Sequence, residues 1–535
     1  MGYYLNSSKM FSLYESEVRK PYFVDKSKIL NELVPLVEQG NNHICITRPR
    51  RFGKSVMAAM IGAFFSRGCE SGEIFDSLNI ADNVNYHSHL NQHDVIYIDF
   101  SEAANISRNY NDFITRIEKI LSRDLHKAFR NVDFWENASL TEKLRIVHEE
   151  TKTSFIFVFD EWDCIFHKKY ITEDDRENFI NFLASLTKGT GYVSLTYMTG
   201  VLPIAKYSSG SSINHFMEYT MAVQPKYSEY FGFSDEEVDM LYARYLKKEP
   251  EPVIEREDLR IWYDGYFTAG GRKLYNPRSV ILALSNNCLA SYWTTTGPYS
   301  EISAYIVNDI DGIKKDVALM TAGEAVKSNV EEFAATAMQL STKDEIFSAM
   351  VVYGFLNYEN GKVHIPNKEL MDEFAKTIRK EKSLGYIYNL ANASERMLRA
   401  TLDGDTKTME EILQFAHDTE TPLLDYNNET ELTAIVNLVY LAARDRYYVE
   451  RECKAGKGYA DFIFYPIQAN DDGIILELKV DDTPEAAIRQ IRERNYVLKF
   501  QGKIAENRHH IGRILLAGIG YSKKKKEHHC KVEVF

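Results

Sequence analysis

The stretch His43–Met57, HICITRPRRFGKSVM, decides the reading of the first half of the chain. A short apolar run leads into a turn containing Gly53 and then into residues that suit a helix, which is the order a phosphate-binding loop needs. In that order the Gly53 backbone approaches a phosphate, the Lys54 ammonium reaches the outer phosphates, and the Ser55 hydroxyl is offered to a magnesium ion. The usual pattern is G-x-x-x-x-G-K-[ST], and its first glycine position is taken here by Arg48. Short G-K-S matches arise by chance in long chains, so a second signal is required.

That signal is Phe155–Asp163, FIFVFDEWD, a continuous apolar run ending in acids. It reads as a buried parallel strand delivering carboxylates to its C-terminal edge. With a phosphate-binding loop, Asp160 would hold magnesium through water and Glu161 would polarise the attacking water. Asp94–Phe100 and Tyr192–Gly200 are further strand-like runs, and they alternate with helical stretches at Tyr110–Arg130 and Asp174–Lys188. This alternation predicts an α/β fold, a parallel sheet with covering helices. Thr199 ends the last of these strands, either as a sensor of the terminal phosphate or as an ordinary strand-end threonine. Ahead of the loop, residues 14–40 include an amphipathic helix opened by Asp25 as its cap, with Leu30, Leu33, Val34 and Val37 at helical spacing.

Around Tyr227 the texture becomes helical and aromatic. Ser234–Glu237 is a capping box before an apolar helix, Val238–Tyr245, and Pro277 in YNPRS opens another helix. From Asp344 a helix is followed by two short strands around Asn360-Gly361, a two-residue hairpin turn, together a winged-helix-like unit. Helices at Lys368–Glu381 and Tyr386–Leu402 lead into a last domain.

That domain contains Arg451–Val480, with strand-like runs at Ala460–Tyr465 and Ile474–Val480. Glu477 and Lys479 are two apart, so on a strand they share a face, and antiparallel pairing brings Asp461 beside them. Two carboxylates would hold Mg²⁺ or Mn²⁺, and Lys479 would stabilise the nucleophile or the developing phosphate charge. Alternating charges on any exposed strand face give the same pattern. Glu452 precedes the motif, Gly456 and Gly458 supply a turn, and the helix Ala486–Tyr496 carries Gln490 and Tyr496, followed by the strand Ile514–Ile519.

RPRRFGKS, FDEWD and TGVLPIAK together resemble the AAA-ATPase-like family, whose members commonly carry a PD-(D/E)xK nuclease-like domain at the C-terminus. The resemblance implies three segments: an AAA-like P-loop ATPase (1–230), a helical middle region with a winged-helix-like unit (231–384), and a restriction-endonuclease-like α/β domain (385–535). In that family arginine commonly replaces the first loop glycine, which accounts for Arg48. The resemblance assigns Arg48, Arg50, Arg51, Phe52, Gly53, Lys54, Ser55, Asp160 and Thr199 to nucleotide binding and Glu161 to hydrolysis. It places Glu452, Asp461, Glu477, Lys479 and Gln490 on the nuclease motif positions, with Asp461 and Glu477 as metal ligands and Ser55 and Asp160 for the nucleotide magnesium. The implied cofactors are ATP and Mg²⁺ or Mn²⁺. The implied partner is nucleic acid, with DNA favoured over RNA by family analogy. The alternative is an ATP-driven switch whose C-terminal domain binds nucleic acid or protein without cutting. Homo-oligomerisation and the identity of an arginine finger stay open.

At 535 residues the chain exceeds one core, and 44% hydrophobic with 26% charged residues is a globular composition. No run of about eighteen apolar residues occurs, so no membrane partner is expected. Six cysteines without C-x-x-C spacing suggest scattered thiols in the cytoplasm. A net charge of −13 argues against a generic nucleic-acid coat but not against a local basic groove. Lys523–Lys526 and the pairs His509–His510 and His528–His529 read as solvated tail residues.

Overall fold

The computed structural model describes residues 2–204, 213–221, 224–293, 306, 312–321, 323–330, 340–380, 382, 386–417, 429–455, 458–507 and 512–535. They divide into two compact units. One is Met1–Gly297 with Asn329–Leu340 and Asp344–Gly361, and the other is Pro298–Ser328 with Ser341–Lys343 and Lys362–Phe535.

The first unit is built on five parallel strands, β1 (Asn42–Thr47), β2 (Asp94–Asp99), β3 (Phe155–Asp160), β4 (Val193–Gly200) and β5 (Met217–Tyr219), in the order β2-β3-β4-β1-β5. The strands are apolar on both sides because both faces are covered. From β3, Ile156 and Val158 pack with Ile61 and Phe64 of α1 (Lys54–Phe65), and with Leu30 and Leu33. Phe155, Phe157 and Phe159 enter the opposite layer, against Phe113 and Ile117 of α2 (Tyr110–Ala128) and Phe179 and Leu183 of α3 (Glu173–Thr187). Each such side chain contributes about 1.5–3 kcal/mol on burial, enough to fix which face each residue takes. The result is a sheet between two helical layers, as the alternation predicted. β5 is an addition: Met-Glu-Tyr is too short to carry a periodic signal.

The amphipathic helix expected after Asp25 is Leu30–Gln39, led by a tight 3₁₀ turn at Ser27–Ile29, and a separate helix, Lys9–Val18, precedes it. Pro21 follows shortly after Lys9–Val18 and cannot extend it. Asp25 caps the 3₁₀ turn, accepting the Ser27 N–H at 2.8 Å. Further on, the Ser234/Glu237 box closes in both directions (3.3 and 2.8 Å) at the start of α4 (Asp235–Lys248). Pro277 occupies the first turn of α5 (Pro277–Asn286), capped by Asn276. Asn360 and Gly361 both adopt positive φ, 51° and 75°, as a two-residue turn requires.

In the second unit five strands form a mixed sheet: β6 (Tyr447–Ala455), β7 (Gly458–Pro466), β8 (Gly473–Val480), β9 (Ile514–Ser522) and β10 (Glu527–Val534), in chain order. Only β8 and β9 run parallel, and α6 (Pro484–Glu493) and α7 (Val497–Asn507) lie between them in sequence. Two glycines let α6 lie against β9. A Cβ on Gly518 would stand 2.3 Å from the Pro484 carbonyl, and one on Gly520 would stand 2.7 Å from that of Asp482.

The C-terminal residues are not a tail. Lys523–Lys526 form the turn of the β9–β10 hairpin, and His528 is buried on β10 beside Tyr521, with Cys530 also buried. The alternation His528, Cys530, Val532 carries the strand, but polar histidine masks it in the sequence. His509 and His510 lie outside the described residues, as does Gly456. No helix among the described residues is long and apolar enough to cross a membrane.

Candidate functional site

In the first unit the site forms at the C-terminal edge of the sheet. The loop after β1 turns through Arg51 (φ 70°) and Gly53 (φ 88°) into α1. A Cβ on Gly53 would meet nothing within 4 Å, so glycine is set there by its backbone angle rather than by space. Lys54, at the helix start, is buried and donates to the Pro49 carbonyl at 2.9 Å, which folds the ammonium back over the loop. Ser55 lies close enough to the Asp160 carboxylate to favour its charged form. The start of α1 therefore faces the end of β3, although β4 lies between β1 and β3.

The loop is braced from far along the chain. Trp293 Nε1 donates to the Arg50 carbonyl at 3.0 Å, and the Phe52 ring packs edge-on against Tyr266 with centroids 5.0 Å apart. A Cβ on Gly354 would stand 2.7 Å from Pro49. Arg48 is bound into the fold instead of meeting Lys54 and Ser55. It is buried, Nη1 donates to the Thr47 and Tyr219 carbonyls at 2.7 and 2.8 Å, and the guanidinium lies 4.8 Å from the Phe231 ring centre. Among the described residues its Nε and Nη2 have no hydrogen-bond partner, and burial lowers its pKa to about 10. It anchors β1 to β5.

The electrostatics are those of a site built for ions of both signs. Asp160 is raised to about 7, first by burial, then by Asp99, its register partner on β2, and by Glu161, with Ser55 and Lys54 opposing. Lys54 is lowered to about 8 by burial, against the pull of Asp163, Glu161 and Asp160. Arg51 is lowered by burial and by two like charges, Arg278 and Arg50, with Glu161 opposing. Arg278 at the start of α5 is therefore near the loop, more than two hundred residues away in sequence. In the sequence it follows Pro277, which opens a helix, and nothing there assigns it chemistry.

Glu161 is exposed in left-handed backbone (φ 50°), its N–H bonded to the Asp160 carboxylate at 3.0 Å. Such backbone costs a non-glycine residue about 1–3 kcal/mol. Asp163 caps the chain after β4 by accepting the Val201 and Leu202 N–H groups (3.0 and 2.8 Å). Gly200 has no side chain because Trp162 and Asp163 come within 2.5 Å of where a Cβ would stand. Thr199 is buried and donates to the Ile46 carbonyl at 2.9 Å, a bond between β4 and β1. Beside the loop an apolar cleft of about 120 Å³ is lined by Phe23, Val24, Gly53, Met57, Pro277 and Ile281 among others.

In the second unit a separate cluster forms on β7, β8 and α6. Asp461 accepts the Leu478 N–H at 2.7 Å, while its own N–H points to Glu477 at 3.4 Å. Lys479 lies 3.1 Å from Glu477, Gln490 donates to the same carboxylate, and Gln490 also reaches the Tyr496 hydroxyl at 3.2 Å. Glu477 is buried, and burial followed by the Asp461 charge raises it to about 7, with Lys479 opposing. Gly518 is the register partner of Glu477 on β9, so the glycine that admits α6 also admits Gln490 to the cluster. Glu452 is on β6, and its side chain lies outside those described. Among the described residues no group of three or more His, Cys, Asp or Glu gathers at metal distance.

Residues 14–209 match the family described as predicted AAA-ATPase, and residues 428–526 match the PD-(D/E)XK nuclease superfamily. A protein of Azotobacter chroococcum mcd 1, described as an uncharacterized protein in the vnfD 5' region, is 26% identical over 281 residues, covering 52% of this chain. The chain spans 51% of that curated relative's length. Among solved structures, the Walker-type ATPase PABY2304 of Pyrococcus abyssi is similar at 13% identity and a TM-score of 0.35, over 65% of this chain and 94% of that one. The ORC2 protein of Aeropyrum pernix, in ADPNP–ADP complexes, is similar at 12% identity and 0.31, over 70% and 93%.

Proposed function

We propose that a chain carrying an AAA-ATPase-like domain over 14–209 and a PD-(D/E)XK nuclease superfamily domain over 428–526 binds and hydrolyses ATP at the first and cleaves nucleic acid, DNA in our reading, at the second. The observation that carries the ATPase half is the convergence of Lys54, Ser55, Arg51 and Arg278 with Asp160 and Glu161 at one sheet edge. Cations crowded against one another at the mouth of a helix are relieved by a polyphosphate and by little else. Lys54, Arg51 and Arg278 would hold the phosphates, Phe23, Val24 and Ile281 would bracket the base, and Glu161 would take a proton from the attacking water.

The two acid clusters fit divalent cations: hard oxygen donors, each with a carboxyl raised to about 7 by burial first and by a second acid next. A bound Mg²⁺ or Mn²⁺ supplies charge neutralisation at phosphate oxygens and a more acidic water. Ser55 and Asp160 would hold it in the first unit, Asp461 and Glu477 in the second. Lys479 would then turn from Glu477 toward the phosphate, while Gln490 keeps the Glu477 carboxylate oriented. We assign the protein to the cytoplasm on its cysteine usage and keep the division 1–230, 231–384 and 385–535 as a working one.

One observation favours a second reading, an ATP-driven switch that binds without cutting. Lys479 and Gln490 both lie on Glu477, and among the described residues no third carboxylate joins Asp461 and Glu477 at metal distance. The deciding experiment is cleavage of linear, circular and single-stranded DNA and of RNA with Mg²⁺ or Mn²⁺, with and without ATP, by wild type, Lys479→Ala and Lys54→Ala. Cutting lost in Lys479→Ala supports the nuclease. ATP hydrolysis without cutting of any substrate supports the switch.

A further inference from the structure

Lys523–Lys526 is a four-lysine run in a chain of net charge −13, and no part of the chemistry above uses it. It is a tight, ordered element. Ser522 and Glu527 close the β9–β10 ladder, the Lys526 N–H returns to the Ser522 carbonyl at 2.7 Å, and Lys526 takes positive φ (58°). The turn is also tied to the end of β8: Lys523 N–H donates to Asp481 at 2.9 Å, and Asp481 N–H to the Tyr521 carbonyl at 2.7 Å. All four lysines are exposed, and among the described residues no carboxylate comes within ion-pair distance of their ammonium groups. Acids beside the turn are otherwise engaged, Asp481 by that backbone bond, Asp482 by the Thr483 N–H at 2.7 Å and Glu527 by His529 at 3.8 Å.

Position gives the turn its meaning. Lys479 is in register with Gly520, and β8 and β9 are parallel, so Lys523 follows three residues beyond the catalytic lysine's neighbour on the adjoining strand. At about 3.3 Å per residue this is about 10 Å past Lys479, or about three nucleotides at about 3.4 Å of rise each. A strand of nucleic acid laid along β8 from a phosphate at Lys479 would pass the turn.

We propose that the Lys523–Lys526 turn is a nucleic-acid docking element that contacts backbone phosphates about three nucleotides from the phosphate at Lys479. This rests on the reading of the second unit as a nucleic-acid site, but it does not require that the site cut. The turn reads no sequence, since ammonium groups on phosphates carry none.

The test is the salt dependence of binding to a labelled duplex DNA, by fluorescence anisotropy with EDTA present so that nothing is cleaved. K523Q/K524Q/K525Q is compared with wild type, with K523R/K524R/K525R and with Lys479→Ala; Lys526 is left because its φ holds the turn. Three lost phosphate contacts flatten the plot of log K against log[NaCl] by about 2.7 units. The expected result is a flattening of about two to three units in the glutamine variant, wild-type slope in the arginine variant, and a change of less than about one unit in Lys479→Ala. Unchanged slope in the glutamine variant overturns the proposal, whether or not the protein cuts DNA. So does wild type that binds no DNA but binds anionic phospholipid vesicles. Salt-dependent binding that flattens as expected, in a protein that cuts nothing, upholds the turn and removes the nuclease.

Discussion

Titrating the metal affinity of the second unit with pH tests the Asp461–Glu477 pair directly. Glu477 is shifted from its ordinary 4.5 to about 7, by burial first and by the Asp461 charge second. A cation takes the ionised carboxylate, so its apparent affinity scales with the ionised fraction. With a pKa of about 7 that fraction is about one in eleven at pH 6 and about ten in eleven at pH 8, so Mn²⁺ binds about tenfold more tightly at pH 8, or about 1.4 kcal/mol. A carboxyl at 4.5 would change by only a few per cent. The assay is calorimetric Mn²⁺ titration without nucleotide, in an Asp160→Asn background that removes the first unit's carboxylate ligand, with Glu477→Gln as the blank. The same shift has a sign in stability. Because the folded carboxyl is raised above its unfolded value, the metal-free fold is progressively disfavoured as pH rises from about 4.5 to about 7, and fully so above, by a cost of order 3 kcal/mol. Glu477→Gln therefore raises the melting temperature of the metal-free protein at pH 8 and leaves it nearly unchanged at pH 4.5. Equal Mn²⁺ affinity at pH 6 and pH 8, or the same tenfold change in Glu477→Gln, refutes the reasoning.

In the first unit, Lys54→Ala removes nucleotide binding, whereas Glu161→Gln keeps it and stops hydrolysis; fluorescent-nucleotide binding and phosphate release separate the two, and equal hydrolysis by wild type and Glu161→Gln sinks the water-polarising role. Arg278→Ala weakens ATP binding by about tenfold, the size expected of one charge-assisted contact of about 1.5 kcal/mol, and a wild-type Kd would show that the guanidinium does not reach the phosphates. Gly518→Ala pushes Pro484 away, costing about 1–3 kcal/mol in denaturant unfolding, and loosens Gln490 from Glu477.

The sequence is most legible where local pattern and tertiary environment ask for the same thing. Phe155–Asp160 is apolar at every position before its acid because both faces of the sheet are covered, so strand, burial and edge could be read together. Asp461, Glu477 and Lys479 were legible for the related reason that a two-residue period and antiparallel pairing fix a shared face. Legibility failed where a residue's role depends on a partner far along the chain. Arg48 holds the place of a loop glycine, yet its hydrogen bonds run to Thr47 and to Tyr219 on a strand too short to predict. Arg278, Trp293 and Gly354 reach the loop from positions that no spacing rule connects to it. The last hairpin was obscured by composition, since KKKKEHH is as polar as a tail, and the strand shows in its pairing with β9 and in the burial of His528 and Cys530.

The bracing of the phosphate loop has a consequence for how the protein can be taken apart. Pro49, the Arg50 carbonyl and Phe52 are covered by Gly354, Trp293 and Tyr266, all beyond residue 209, where the ATPase-family match ends. A fragment cut at the family boundary would keep every residue of the phosphate-binding signature and lose the walls that hold them in place. The matched segment is thus not a portable cassette. Grafting it into another protein, or expressing it for screening, means carrying the chain through at least residue 361, the end of the first unit.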